Sequence, residues 1–383
     1  MAALFAPALG AAPEKKEGPQ IGAPHAMLIE ATSGSVLYER DADTLIYPAS
    51  LGKLMTAEYV FHLLEERQIN IADEYFVSEN AWRKGGAPSH TSTMFAKLGS
   101  KVSVDDLLHG MIIQSANDAC IVLAEAIAGN EAEFGKRLTE RARQIGLSKS
   151  TFTNSNGLPD PDEQVTSREL AKLARHIILT YPDFYKLFGE KEFTWNNIRQ
   201  QNRNPLLGLV NGADGLKTGF TKEAGYGLVG SAVQDGVRLI VVINGAKTAK
   251  DRADDAKKLL EWGFHNFEAR ILFAEGQRIG SAKVYGGANG HVPLEAAGPV
   301  VVMVPKNGGD RLIARVVYNG PVPAPIKVGQ PIGNVKVWRN DSVVLEMPLH
   351  AAEPVAQGTL SQRAFDAVTE LIIALFRAGA QKL

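Results

Sequence analysis

Three short motifs stand in order along this chain, and a fold in which they act together must join points far apart in sequence. They are Ser50-Leu51-Gly52-Lys53, Ser115-Ala116-Asn117 and Lys217-Thr218-Gly219. They supply a hydroxyl with an amine three residues on, a second hydroxyl with an amide, and a cation on a glycine-ended strand. That set suits acyl transfer through a serine ester. Each motif alone is weak. S-x-x-K and S-x-N each arise by chance roughly once in a chain this long, and K-T-G about a tenth as often. Order and context sharpen the signal. Ser50 follows Tyr47-Pro48-Ala49 and opens a helical pattern, Ser115 follows the apolar Met111-Ile112-Ile113, and Lys217 precedes a strand-like run.

The periodicity around these motifs gives a coarse fold. Ala26–Ile29 and Ser35–Tyr38 flank Thr32-Ser33-Gly34, a hairpin signal. After Ser50, apolar Leu54, Ala57, Phe61 and Leu64 recur at spacings of three and four, which predicts a helix. Residues 81–95 read as a loop, 104–113 and 116–127 as helices, 149–162 as turns and 167–179 as helix. Gly225–Val233 and Arg238–Asn244 read as paired strands, and 250–268 as an amphipathic helix. Strands first, helices between and strands last predict an α/β (α+β) arrangement, a sheet flanked by helices. From about Leu272 the pattern turns to short β runs, a small all-β domain. The segment from Leu360 to Lys382 then places Phe365, Val368, Leu371, Ile372, Leu375 and Phe376 on one helical face. Such a helix fits a membrane surface or a protein partner about equally.

Composition removes several functions. With 383 residues the chain can bury more than one core. A net charge of −1 offers no basic field for nucleic acid. A single cysteine, Cys120, excludes an internal disulfide framework and reads as a core thiol. The eight histidines form no tight ligand pair, so no metal or other cofactor is expected. Residues 1–12 are apolar and small, like the end of a secretory signal peptide, or alternatively a loose tail. No stretch is long enough to span a membrane.

Ser50 is a weak nucleophile without help. Lys53, three residues on, emerges from the same helical face. To take a proton near neutrality its amine must be desolvated or placed beside another cation, and Lys217 is a candidate for that cation. Taken singly, Ser50 reads as a helix N-cap and Lys53 as a solvated lysine. Ser115 and Asn117 also read as helix-starting residues. The company of all three motifs favours the chemical reading.

Joined with Ser115–Cys120, Asn156-Gly157-Leu158 and Lys258–Phe264, the motifs make the chain resemble the low-molecular-mass penicillin-binding proteins. More narrowly, it resembles the serine-type D-alanyl-D-alanine carboxypeptidases, over nearly everything from Gly22 onward. The resemblance implies a lead-in at 1–21, a penicillin-binding, β-lactamase-like transpeptidase domain at 22–270, the all-β domain at 271–354 and an amphipathic helix at 355–383. It implies Ser50 as nucleophile, Lys53 as base, and Ser115 as proton relay to the leaving amine. Asn117 would hold Lys53 and the substrate amide, and Lys217 would supply positive potential. Thr218 and Arg252 would bind the terminal carboxylate, Gly219 would admit the substrate backbone, and the N–H groups of Ser50 and Phe220 would form the oxyanion hole. The implied partners are peptidoglycan stem peptides ending in D-Ala-D-Ala, β-lactams and, through the last helix, the outer face of the cytoplasmic membrane of an exporting cell. Glu169 is expected to be a structural carboxylate. Two other functions stand beside this one: a β-lactamase of the same superfamily, and a non-catalytic wall-binding protein.

Overall fold

The computed structural model describes residues 18–308, 311–340 and 342–368. The signal-peptide reading of residues 1–12, and the part of the expected last helix beyond 368, lie outside the described residues.

Strands β1 (His25–Glu30) and β2 (Val36–Arg40) pair antiparallel across the expected turn. The Glu30 carboxylate pins that turn by accepting from the N–H groups of Thr32 and Ser33 and from the Ser33 hydroxyl. Strands β3 (Ala213–Thr221), β4 (Gly225–Gln234) and β5 (Val237–Ala246) complete a five-stranded antiparallel sheet in the order β2-β1-β5-β4-β3. β3, which carries the third motif, is therefore an edge strand.

The alternation of side chains sorts the strands into two cores. Met27, Ile29, Leu216, Val229, Ile240 and Val242 enter the first, and Leu28, Leu228, Leu239, Val241 and Ile243 enter the second. The first core also holds α1 (Lys53–Glu65), α2 (Val104–Ile113), α3 (Asn117–Ala128), α4 (Glu131–Gln144) and α5 (Ser167–Thr180). The second is covered by α6 (Ala249–Asn266). In α3 every residue from Asn117 to Ala124 is buried, so this helix is surrounded by protein. Each large apolar side chain so enclosed contributes about 1.5–3 kcal/mol.

Besides the one-turn helices Pro182–Tyr185 and Leu206–Leu209, two helices differ from the expectation. Residues 79–85, overlapping the start of the expected loop, form a short helix capped by the Ser78 hydroxyl on the Ala81 N–H. The stretch after Ala128 forms α4, capped by Asn130, with Phe134, Leu138 and Ala142 as its buried stripe. Both expose many polar side chains, so the apolar rhythm is thin and the caps mark them better than periodicity does.

Among the described residues eight strands come after α6: β6 (Phe267–Phe273), β7 (Gly280–Tyr285), β8 (His291–Ala296), β9 (Val300–Pro305), β10 (Leu312–Tyr318), β11 (Val322–Pro323), β12 (Pro331–Arg339) and β13 (Ser342–Ala351). Six of these strands form a sheet in the order β10-β12-β13-β8-β7-β11, and β6 pairs with β9. Residues 360–368 are helical, with Phe365 and Val368 exposed. Among the described residues no helix is long and apolar enough to cross a membrane.

Candidate active site

Ser50 does not cap a helix. It lies in the single 3-10 turn Ala49–Gly52 that runs into α1. Ala49 takes a positive φ of 48°, which makes the entry sharp and leaves Ser50 half-buried while Leu51 and Gly52 are buried. Lys53, one residue on, is only 1 % exposed. Its Nζ lies 2.9 Å from Ser50 Oγ and donates to the Asn156 carbonyl at 2.7 Å. The segment carrying Asn156 comes this close because its neighbour is glycine. Gly157 has φ +76°, and a Cβ there would stand 1.8 Å from the Ala49 carbonyl oxygen.

Burial pushes the Lys53 amine down to about 8. Among nearby charges Arg203 lowers it, while Glu163 and Glu131 raise it. Lys217, the cation expected to do the lowering, is itself pushed well down, first by burial and then by Lys53. Two buried amines that feel each other do not both hold a proton cheaply. Desolvation, rather than a second cation, is thus the main reason Lys53 is close to a neutral base.

Ser115 sits between α2 and α3 with φ +63°. It is buried, and its hydroxyl has no hydrogen-bond partner. Ala116, not Ser115, is the N-cap of α3, without a side-chain cap bond. Asn117 donates from its amide to Thr91 Oγ1 at 3.0 Å, and its carbonyl Oδ1 is buried without a partner. Neither residue is spent on capping. Buried polar atoms are nearly always paired, so unpaired ones mark positions where a polar ligand fits. Cys120, a turn further along α3, donates to the Ala116 carbonyl, and burial pushes its thiol up to about 12. It is a core thiol, as expected.

On β3, Lys217 and Thr218 are buried. Gly219 lets the strand lie against the nucleophile turn, since a Cβ there would be 3.2 Å from Leu51 N, Leu51 Cγ and the Pro48 carbonyl. Phe220 follows, half exposed, and stacks on Tyr226 with ring centres 4.1 Å apart. Arg252, at the start of α6, lays its guanidinium 5.7 Å from the centre of the same Tyr226 ring. Its Nε is buried and unpaired, and burial lowers the guanidinium's proton affinity. The charges of Lys53, Arg203 and Arg252 all bear on Lys217. A groove of about 790 Å³ opens beside this aromatic pair, lined by Tyr47, Lys222, Lys247 and their neighbours.

Three participants have roles that sequence reasoning missed: the Asn156 carbonyl on Lys53, the guanidinium of Arg203, which donates to Ser92 Oγ at 2.6 Å, and the buried Glu163. A backbone carbonyl has no residue identity, and a glutamate in a turn-rich stretch reads as solvated. Glu169 meets its expectation. It accepts from the N–H of Lys149 and from the N–H and hydroxyl of Ser150, tying a loop to α5.

The chain is similar to known proteins over most of its length. Residues 12–248 match the D-alanyl-D-alanine carboxypeptidase family of peptidases, and residues 267–357 match the C-terminal domain of penicillin-binding protein 5. The chain is 39 % identical to the D-alanyl-D-alanine carboxypeptidase DacC of Escherichia coli strain K12 over 368 residues, covering 95 % of this chain and 92 % of that one. Penicillin binding protein 5 from Haemophilus influenzae superposes with a TM-score of 0.76 at 37 % identity, over 91 % of this chain and 100 % of that one. Penicillin-binding protein D2 from Listeria monocytogenes, solved in its ampicillin-bound form, superposes with a TM-score of 0.58 at 32 % identity, over 64 % of this chain and 98 % of that one.

Proposed function

Because the chain belongs to the D-alanyl-D-alanine carboxypeptidase family of serine peptidases, we propose that Ser50 is its nucleophile and Lys53 the base that activates it. The observation that carries this is the 2.9 Å approach of Lys53 Nζ to Ser50 Oγ, with the amine buried and steered by the Asn156 carbonyl. In the neutral form the amine accepts the Ser50 proton as Oγ attacks the carbonyl of the terminal D-Ala-D-Ala bond. The N–H groups of Ser50 and Phe220 stabilise the oxyanion. The proton then passes through Ser115 to the leaving D-alanine nitrogen, and the C–N bond breaks. Water, deprotonated by Lys53, hydrolyses the Ser50 ester and restores the enzyme. Asn117 holds the substrate amide, and Lys217 adds positive potential. Thr218 and Arg252 take the free carboxylate, and Gly219 lets the peptide lie along the edge of β3. A guanidinium on an aromatic face, with a donor unspent, suits a carboxylate.

The natural substrates are then stem pentapeptides of peptidoglycan, and β-lactams acylate Ser50 as mimics of the same dipeptide. The protein works outside the cytoplasm, with the amphipathic segment from Leu360 onward resting on the membrane surface. Intact-protein mass spectrometry after brief penicillin exposure tests the core of this reading. The expected result is a slowly decaying gain of one drug molecule, absent in Ser50→Ala, together with D-alanine release from a pentapeptide. Loss of drug without an adduct would point to a β-lactamase. No adduct with intact drug would leave only wall binding.

A further inference from the structure

The segment from Thr153 to Glu163 folds over the back of the nucleophile turn, and one side chain closes it. Glu163 is 1 % exposed. Its Oε2 accepts the Thr153 hydroxyl at 3.0 Å and the amide of Asn154, so the two ends of the segment are tied together. Asn154 in turn accepts from the N–H of Asn156 at 3.1 Å and of Gly157 at 2.7 Å, and donates to the Leu158 carbonyl. These are the residues that present a carbonyl to Lys53 and a bare backbone to Ala49. The other oxygen of Glu163, Oε1, is buried with no partner and abuts Gly52, where a Cβ would lie 3.0 Å away. Gly52 immediately precedes Lys53.

We propose that Glu163 is a positioning residue for the serine–lysine pair: its carboxyl group clamps the 153–163 segment so that the Asn156 carbonyl and the Gly52 backbone hold Lys53 against Ser50. This rests on Ser50 and Lys53 acting as proposed above. The clamp is also electrically coupled to the base. A buried oxygen without a partner suits a neutral acid better than a carboxylate. Burial pushes Glu163 up to about 8, into the range to which burial lowers Lys53. While Glu163 keeps its proton, no anion stands there to hold a proton on Lys53. Once it ionises, it holds a proton on Lys53 and leaves less of the lysine in the neutral form that can act as a base. The other groups bearing on the pair are Asp160 on the same segment, Glu131 on α4, Arg203, and, for Lys53, the Lys217 amine and the Cys120 thiol. Substitution of Glu163 leaves all of these in place.

The test is the rate of penicillin acylation of the full chain against pH, read by intact mass, for wild type, Glu163→Gln and Glu163→Ala. The glutamine keeps the shape and the acceptor but cannot ionise. It is expected to acylate near the wild-type rate at high pH, with the rising limb moved to lower pH by about half a unit or more. The alanine is expected to acylate about tenfold more slowly, or worse, at every pH while still melting cooperatively. Should the alanine variant fail to fold, the glutamine profile decides. A glutamine profile that superimposes on wild type would overturn the proposal. So would a loss in the glutamine variant equal at every pH, which marks a merely structural side chain. Absence of acylation in the wild type would instead overturn the assignment of Ser50 and Lys53 on which the proposal stands.

Discussion

At the scale of single residues, the chemistry turns on a lysine held where its charge is unwelcome. Lys53 has a folded-state value of about 8 against an ordinary 10.5, with burial as the first cause. Between those values the folded protein binds fewer protons than the unfolded chain. Stability from this group is therefore lowest below about 8 and rises as pH climbs toward 10.5. We predict that Lys53→Met flattens that rise, read as the difference between the two proteins' melting temperatures at pH 7 and pH 10. For activity, the wild-type acylation rate should fall about tenfold per pH unit below the Lys53 transition. Lys53→Arg, which stays charged, should lose about a thousandfold or more in the same assay. Arg252 makes a separate prediction. If its guanidinium reads the free carboxylate, Arg252→Gln should lower kcat/KM for a D-Ala-D-Ala peptide by about a hundredfold while barely changing cleavage of the C-terminal amide. Equal losses on both peptides would show that Arg252 does something else. The motif residues were readable because Ser50 and Lys53 are neighbours on one turn and the other motifs have recognisable chemistry. The reason for the Lys53 shift was not readable. Desolvation depends on how much protein closes over the amine, and that is a property of the whole fold.

At the scale of elements, the site exists because glycines let backbones touch. Gly157 and Gly99 both have positive φ, +76° in each, yet they differ in surroundings. A Cβ on Gly99 meets nothing within 4 Å, whereas on Gly157 it would collide with the Ala49 carbonyl at 1.8 Å. Gly99→Ala should therefore cost about 1–2 kcal/mol, the strain of the left-handed conformation alone. Gly157→Ala should cost more than 3 kcal/mol and slow acylation, because the segment holding Lys53 must move. Chemical denaturation of the two variants checks the difference; equal costs would mean the contact is soft. The strands were legible from sequence because their alternation serves two cores, with Val229 and Val242 turned to one face and Leu228 and Val241 to the other. The helix of residues 79–85 was not legible. About two turns with a single buried apolar side chain, Ala81, give periodicity nothing to count. Its Ser78 cap was the only local sign.

At the scale of the whole molecule, the all-β part meets the sheet on the face away from Ser50. Phe267 and Met303 belong to the second core, beside Leu28, Leu37 and Leu260. The Met303 N–H donates to Ser35 Oγ at 3.3 Å, and Arg339 donates to the Leu37 carbonyl at 3.4 Å. The motif residues lie elsewhere, on the turn before α1, at the start of α3 and on the outer edge of β3, and Arg252 lies at the N-terminal end of α6. A change in composition near Leu272 announced the second part, but the sequence alone did not show that its first strand begins at Phe267 and shares a core with the first part. Burial there serves stability without touching the reacting groups. A chain ending at residue 270 would keep Phe267 and lose Met303, exposing apolar surface of both neighbours at a cost of about 2–4 kcal/mol. We predict that this shortened protein melts at lower temperature than the full chain yet acylates with penicillin at a rate within about twofold of it, since among the described residues no hydrogen bond to Ser50 or Lys53 is removed. A large fall in acylation with folding retained would mean that the β part governs the site through the sheet. In that case the contacts at Ser35 and Leu37 would be the first to substitute.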